Sequence, residues 1–190
     1  MGRSQLEKQK THEKIVETAS RRLREEGLEG VGVADLMKEA GLTVGGFYKH
    51  FASRDDLVAE AIQSAFDSWG RKLEADGIDP AKMTAADVAD RYLSAYHRDN
   101  PGEGCPFAAL TSDISRGDDK ARGIATERLR LNFEALASKA SGAHAERRRK
   151  AVIAFAMMAG GVGLARISSD EALSAEILET VRDFVAAIDK

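Results

Sequence analysis

The sequence predicts an all-α protein, and three observations carry that prediction. The chain has 190 residues with only three prolines, and it is rich in Ala, Leu, Glu, Lys and Arg, which lose little on entering a helix. Apolar residues recur at spacings of three and four along most of its length, the period of a half-buried helix. No stretch alternates apolar and polar residues as a half-buried strand does. Apolar residues at 43% and charged ones at 31% lie near globular averages, so the chain can build one sizeable core or join a small domain to a larger one.

The elements follow in order. Ile15, Ala19 and Leu23, with Val16 alongside, define a first helix over residues 11–26, and Gly27 stands where a left-handed residue ends it. A second helix over 33–40 turns Leu36, Met37 and Ala40 inward and stops at Gly41. Thr43 is placed to cap a third, short helix reaching Phe51. Ser53 and Asp56 have the form of a capping box, and Leu57, Ala61, Ile62, Ala65, Phe66, Trp69 and Leu73 then mark a long amphipathic helix.

A break at 77–80 precedes a helix that starts near Thr84 and carries Val88, Tyr92 and Tyr96. Beyond the irregular stretch DNPGEGCPF, helices are expected over 106–115 and 119–139, the latter with Leu129, Phe133 and Leu136 on one face. The helix over 147–165 is apolar around nearly its whole circumference, which predicts burial on several sides. A last helix, introduced by SSDE, carries Leu173, Ile177, Leu178, Val181, Phe184, Val185 and Ile188 in one stripe. About nine helices are expected in all.

Several classes are disfavoured. A single cysteine forms no intramolecular disulfide, and the chain does not open like a secretory signal, so a cytoplasmic protein is expected. The longest charge-free stretch, residues 151–165, is shorter than the roughly 20 residues that span a bilayer, so no membrane partner is expected. The histidines at 12, 50, 97 and 144 have no metal-ligand spacing, and no metal or cofactor is expected. No phosphate loop, nucleophile elbow or carboxylate pair stands out, so the chain does not read as an enzyme.

The net charge of -3 is unevenly distributed. Residues 1–54 hold ten Lys/Arg and eight Asp/Glu, a balance of +2, which leaves 18 and 23, or -5, for the remainder. That asymmetry permits an anion-seeking first segment without establishing one.

The stretch GLTVGGFYKHF, residues 41–51, carries the functional signal. Two adjacent glycines weaken a short helix by about 2 kcal/mol relative to alanine, so something is expected to approach that backbone closely. A helix, a Gly-containing turn and a second short helix make a helix-turn-helix, whose second member enters the DNA major groove. Thr43, Tyr48 and His50 offer hydroxyl and imidazole groups to phosphates, Lys49 adds charge, and Arg54 with the following helix N-terminus offers a further grip. Phe47 and Phe51, four apart, point inward. Plain bundle packing would explain an Ala-Gly-Leu turn but not Gly45-Gly46 beside Tyr, Lys and His.

At these residues the sequence resembles the tetracycline-repressor (TetR) family of bacterial transcriptional regulators, over about residues 13–62 and including VADLMKEAGLTVGGFYKHFASRDDLVAEAI. The resemblance implies a three-helix DNA-binding domain at 1–54, a ligand-binding and dimerisation domain at 55–190, and a homodimer joined through the last two helices. It implies a repressor released from a near-palindromic double-stranded operator by a small effector, with an activator or dual regulator as the alternative. By position, Thr43, Tyr48, His50 and Arg54 match phosphate contacts, and Val44, Gly45 and Gly46 the base-facing positions. Many relatives carry a polar side chain where Val44 and Gly46 stand, which leaves thymine-methyl contact and DNA shape as sources of specificity.

Candidate effector-pocket residues are Phe66, Trp69, Tyr92, Tyr96, Cys105, Phe107, Leu110, Phe133, Met157 and Met158, which favour a mostly apolar small molecule. Aromatics and methionines at helical spacing also serve as plain core. Cys105, just before a helix start, suits a thiol sensor of oxidants or electrophiles as a further alternative. Gly160 and Gly161 permit close helix approach, and the stripe through Leu173, Ile177, Val181 and Phe184 is broad enough for a second subunit as well as its own core. The rivals from other classes are a helical small-molecule binder without DNA function and an enzyme acting on a pocket ligand.

Overall fold

Helix formers, separated by glycines and capping residues, fold into helices alone. In a computed structural model the described residues, 3–30 and 32–188, form nine α-helices and three short 3-10 helices, with no strand among them. Helix α1 (Arg3–Glu26) starts two turns before the apolar pattern, because residues 5–14, apolar only at Leu6, contain no helix breaker. Gly27 ends it at φ 80°, a left-handed conformation that other residues adopt only under strain. Helix α2 (Val33–Glu39) ends likewise at Gly41, φ 77°, where the Leu42 amide donates to the Met37 carbonyl at 2.8 Å.

The third helix of the motif differs from expectation. Val44–Lys49 is a 3-10 helix, and Thr43, although at its N-cap, accepts no side-chain hydrogen bond. A six-residue segment with two glycines has too few α-type bonds to offset its backbone entropy, and it tightens to the i to i+3 pattern instead. Phe47 and Phe51 anchor it in the core with ring centroids 5.4 Å apart.

Helix α3 (Arg54–Ala75) begins at the expected cap, the Ser53 hydroxyl accepting from the Asp56 amide at 3.0 Å. It runs unbroken from α1 to the far bundle, so the division expected after residue 54 falls at the start of a helix that both parts share. The helix expected from Thr84 through Tyr96 is two: α4 (Ala85–Tyr92) stops at Leu93, and Ser94 caps the short α5 (Ala95–Asp99). The remainder comprises α6 (Pro106–Arg116), α7 (Asp119–Ala137), α8 (His144–Ile167) and α9 (Glu171–Ala187). One continuous apolar cluster runs from Ile15 in α1 to Val185 in α9.

Helix α8 corrects another expectation. It packs on α7 and α9 and buries Ala154, Phe155, Met158, Val162 and Ala165, yet Val152, Ile153, Leu164 and Ile167 are exposed. Among the described residues it is the one helix long and apolar enough to cross a bilayer.

Candidate nucleic-acid interface and ligand cavity

The 3-10 helix presents Val44 and Tyr48 to solvent at 50% and 76% exposure, with Thr43, Gly45 and Lys49 also exposed. Neither paired glycine has a positive φ. A Cβ built on Gly45 would meet nothing within 4 Å, and one on Gly46 only ordinary contacts with Met37 and Thr43. The fold therefore requires glycine at neither position. Phe47 holds the helix down edge-on to Tyr48, leaving the glycine face outward.

Arg54, one of the predicted phosphate ligands, has an intramolecular role. The Arg54 guanidinium donates to the Leu28 carbonyl, tying α3 to the loop after α1. His50 is half-buried, with no partner for its Nδ1 among the described residues. Burial first, then the charges of His12, Lys8 and Lys49, pull its pKa below the ordinary value. Lys8 thus acts on the same surface, and it escaped the sequence reading because the first turns of α1 carry no apolar period. Beneath them His12 stacks on Phe51 at 4.6 Å and reaches Glu60 of α3 at 2.6 Å.

The second site is a cavity of about 460 Å³ among α3, α4, α7 and α8, within the range of small-molecule pockets. Phe66, Trp69, Tyr92, Cys105 and Met158 of the predicted set line it. Tyr96 does not, because the break at Leu93 turns it outward, where its hydroxyl donates to Glu103 at 2.5 Å and Lys72 lies over its ring. Phe107 and Leu110 stand behind the wall as core, Phe107 against Phe66 at 4.7 Å. Phe133 and Met157 are packed beside the cavity without lining it.

Leu73, Met83, Val88, Leu136 and Phe155 complete the apolar wall. Phe155 was within reach of the helical period, since it lies one turn before Met158. The polar lining includes Asn132, Arg128 and Lys139 of α7 and its end. Arg128 pairs with Asp67, and Lys139 donates to the Pro80 and Met83 carbonyls at 2.8 and 2.7 Å.

Cys105 does not sit as a thiol sensor needs. It is buried, and burial raises its pKa above the ordinary value, outweighing the opposing pull of Tyr92, the backbone at Phe107 and Ala108, and Arg24. The reactive thiolate expected at a helix start is disfavoured.

The profile described as "Bacterial regulatory proteins, tetR family" matches residues 15–61, the segment that builds α1, α2, the 3-10 helix and the start of α3. Over these residues the chain matches the TetR family. Its curated relatives include the HTH-type transcriptional repressor DhaR of Mycobacterium sp. (strain GP1), 26% identical over 117 residues, 62% of this chain and 57% of DhaR. The match thus spans little more than half of that relative's length. The fold as a whole is shared with the reduced form of Escherichia coli NemR, at TM-score 0.75, 20% identity and coverage of 95% and 97% of the two chains. A TetR regulator from Legionella pneumophila superposes at TM-score 0.76, with 19% identity over 93% and 96%.

The cavity and α1 share a polar connector. Arg24 of α1, 7% exposed, donates to the Gly104 carbonyl and the Ser68 hydroxyl, each at 2.9 Å. Burial lowers its pKa to about 10, so it stays charged at neutral pH. The next amide, Cys105, donates to His97 Nε2 at 2.8 Å, while His97 Nδ1 donates to the Tyr92 carbonyl at 2.6 Å. These two bonds fix the neutral tautomer, and burial pushes the His97 pKa down to about 4. A Cβ on Gly104 would lie 2.5 Å from the His97 ring, which is why glycine occupies that position.

The predicted dimer residues divide. Leu173 and Phe184 are exposed, and Gly160 opens onto free space. Gly161 instead packs against Leu93 and Val181 of its own chain, and Ile177 and Val181 are half-buried on the core. Among the described residues no metal-binding group of His, Cys, Asp or Glu is present.

Proposed function

We propose that this protein is a dimeric transcriptional repressor of the TetR family that binds a near-palindromic operator and leaves it when a small, mostly apolar molecule fills the cavity. The observation that carries the reading is the glycine pair. Neither the backbone conformation nor any neighbour in the chain requires Gly45, yet it weakens an exposed helix. A close partner outside the chain supplies the missing reason, and a major groove approached through Val44, Gly45 and Gly46 fits it. Thr43, Tyr48, Lys49 and His50 then lie within the same footprint, with Lys8 as a further cation, while Arg54 fixes the loop at Leu28. The repressor name of DhaR supports the sign of regulation.

The exposed apolar residues of α8 and α9 form the second support, because a face carrying Leu164, Ile167, Leu173 and Phe184 in water favours self-association. Two-fold pairing there would place two reading heads on one duplex. Effector action requires unequal affinity for two head arrangements, and the Arg24, Gly104, Cys105 and His97 connector offers a physical path between cavity and α1. A gel shift against the DNA upstream of the protein's own coding region tests the reading. Saturable, salt-sensitive retardation is expected, with loss of at least tenfold in affinity for Tyr48→Ala. A helical binder without DNA function would give no retardation at any salt.

A further inference from the structure

The cavity's charge pattern is one-sided. Among the described residues no Asp or Glu lines it, whereas Arg128 and Lys139 do. Arg128 is paired with Asp67, and Lys139 donates to two carbonyls with the Asp87 carboxylate within electrostatic reach, so both positive charges are already offset. A cationic ligand would meet positive charge and no counter-charge in an apolar surround. The walls of Phe66, Trp69 and Phe155 suit a flat or angular aromatic body.

One polar group remains unmatched. Tyr92 is buried, its hydroxyl has no hydrogen-bond partner of good geometry among the described residues, and the only side chain acting on it by hydrogen bonding is the weakly polar Cys105 thiol. Burial keeps both groups protonated. A buried phenol that lacks an acceptor forfeits a bond that a ligand oxygen restores. Cys105, a small side chain lining the same cavity, is the neighbour that a ligand oxygen would replace at that hydroxyl.

We propose that the cavity selects an uncharged aromatic compound with one carbonyl-type acceptor, which receives a hydrogen bond from the Tyr92 hydroxyl. This rests on the cavity being the effector site of the proposed regulator, and it names the chemical class that site takes. It also places the ligand's polar end against the Cys105 loop, the segment whose Gly104 carbonyl is held by Arg24 of α1.

Four matched probes test it by calorimetric titration of the full chain: benzophenone, diphenylmethane, 4-benzoylbenzoate and (4-benzoylbenzyl)trimethylammonium. The expected order puts benzophenone first, about tenfold tighter than diphenylmethane, the gain of one buried hydrogen bond. Both charged probes are expected to bind more weakly still. Tyr92→Phe, checked for folding by thermal melt, is expected to abolish the ketone's advantage and leave diphenylmethane unchanged. The ordering in the unmodified protein decides alone if that variant does not fold. A charged probe binding tightest, equal affinity for ketone and hydrocarbon, a Tyr92→Phe protein that keeps the ketone preference, or no binding by any probe would each overturn the assignment. The operator gel shift needs no probe, so failure here and failure of the regulator reading register separately.

Discussion

Gly45 separates two demands that usually coincide at one residue. Its Cβ position is open and its φ is ordinary, so Gly45→Leu is expected to leave the thermal melt unchanged or raise it slightly, through better helix propensity. The same change should lower operator affinity by at least tenfold, because a side chain then stands between backbone and bases. A melt that falls by several degrees would mean that the glycine serves the fold. His97 makes a pH prediction of a different kind. Its folded pKa near 4 lies below the ordinary value of 6.5, so the unfolded chain binds the extra proton. The associated stability, roughly 3 kcal/mol by linkage, is fully present above pH 6.5 and is lost as pH falls through 4. Urea melts between pH 7 and 4 should show that loss, and His97→Gln should flatten it.

Helix ends were the most legible feature of the chain, and for a local reason. Gly27 and Gly41 take the left-handed φ that the stop positions demand, and Ser53 caps as the spacing of its acidic partner implies. Such signals act within a turn and need no tertiary information. The break at Leu93 and Ser94 was not legible, because Tyr92 and Tyr96 keep helical spacing across it. For the same reason the cavity was only half visible: Phe66, Trp69 and Met158 line it, but which face of α7 opposes them depends on packing. Glycines now divide by their surroundings. Gly104→Ala should cost about 1–3 kcal/mol, since its Cβ would meet the fixed His97 ring, while Gly123→Ala in α7, with nothing within 4 Å, should stabilise by about 1 kcal/mol. Chemical denaturation of the two variants checks both signs.

The assembled protein adds what no single helix provides. The apolar residues left exposed on α8 and α9 are expected to form the two-fold contact, so Leu164→Glu with Phe184→Glu should yield a folded monomer by light scattering. That monomer should bind a half-site weakly and a palindrome no better. One apolar cluster runs from α1 to α9 and Arg24 ties α1 to the Gly104 carbonyl, which gives the proposed reading surface a physical connection to the cavity. In the proposed function this surface binds duplex DNA through the outward face of Val44–Lys49. Fluorescence anisotropy of a labelled upstream duplex, titrated with the unmodified protein and with Gly45→Leu at several salt concentrations, tests it most directly. Saturable binding that weakens steeply with salt and falls at least tenfold in the variant is expected. No binding at low salt, or equal affinity for the two proteins, would contradict it.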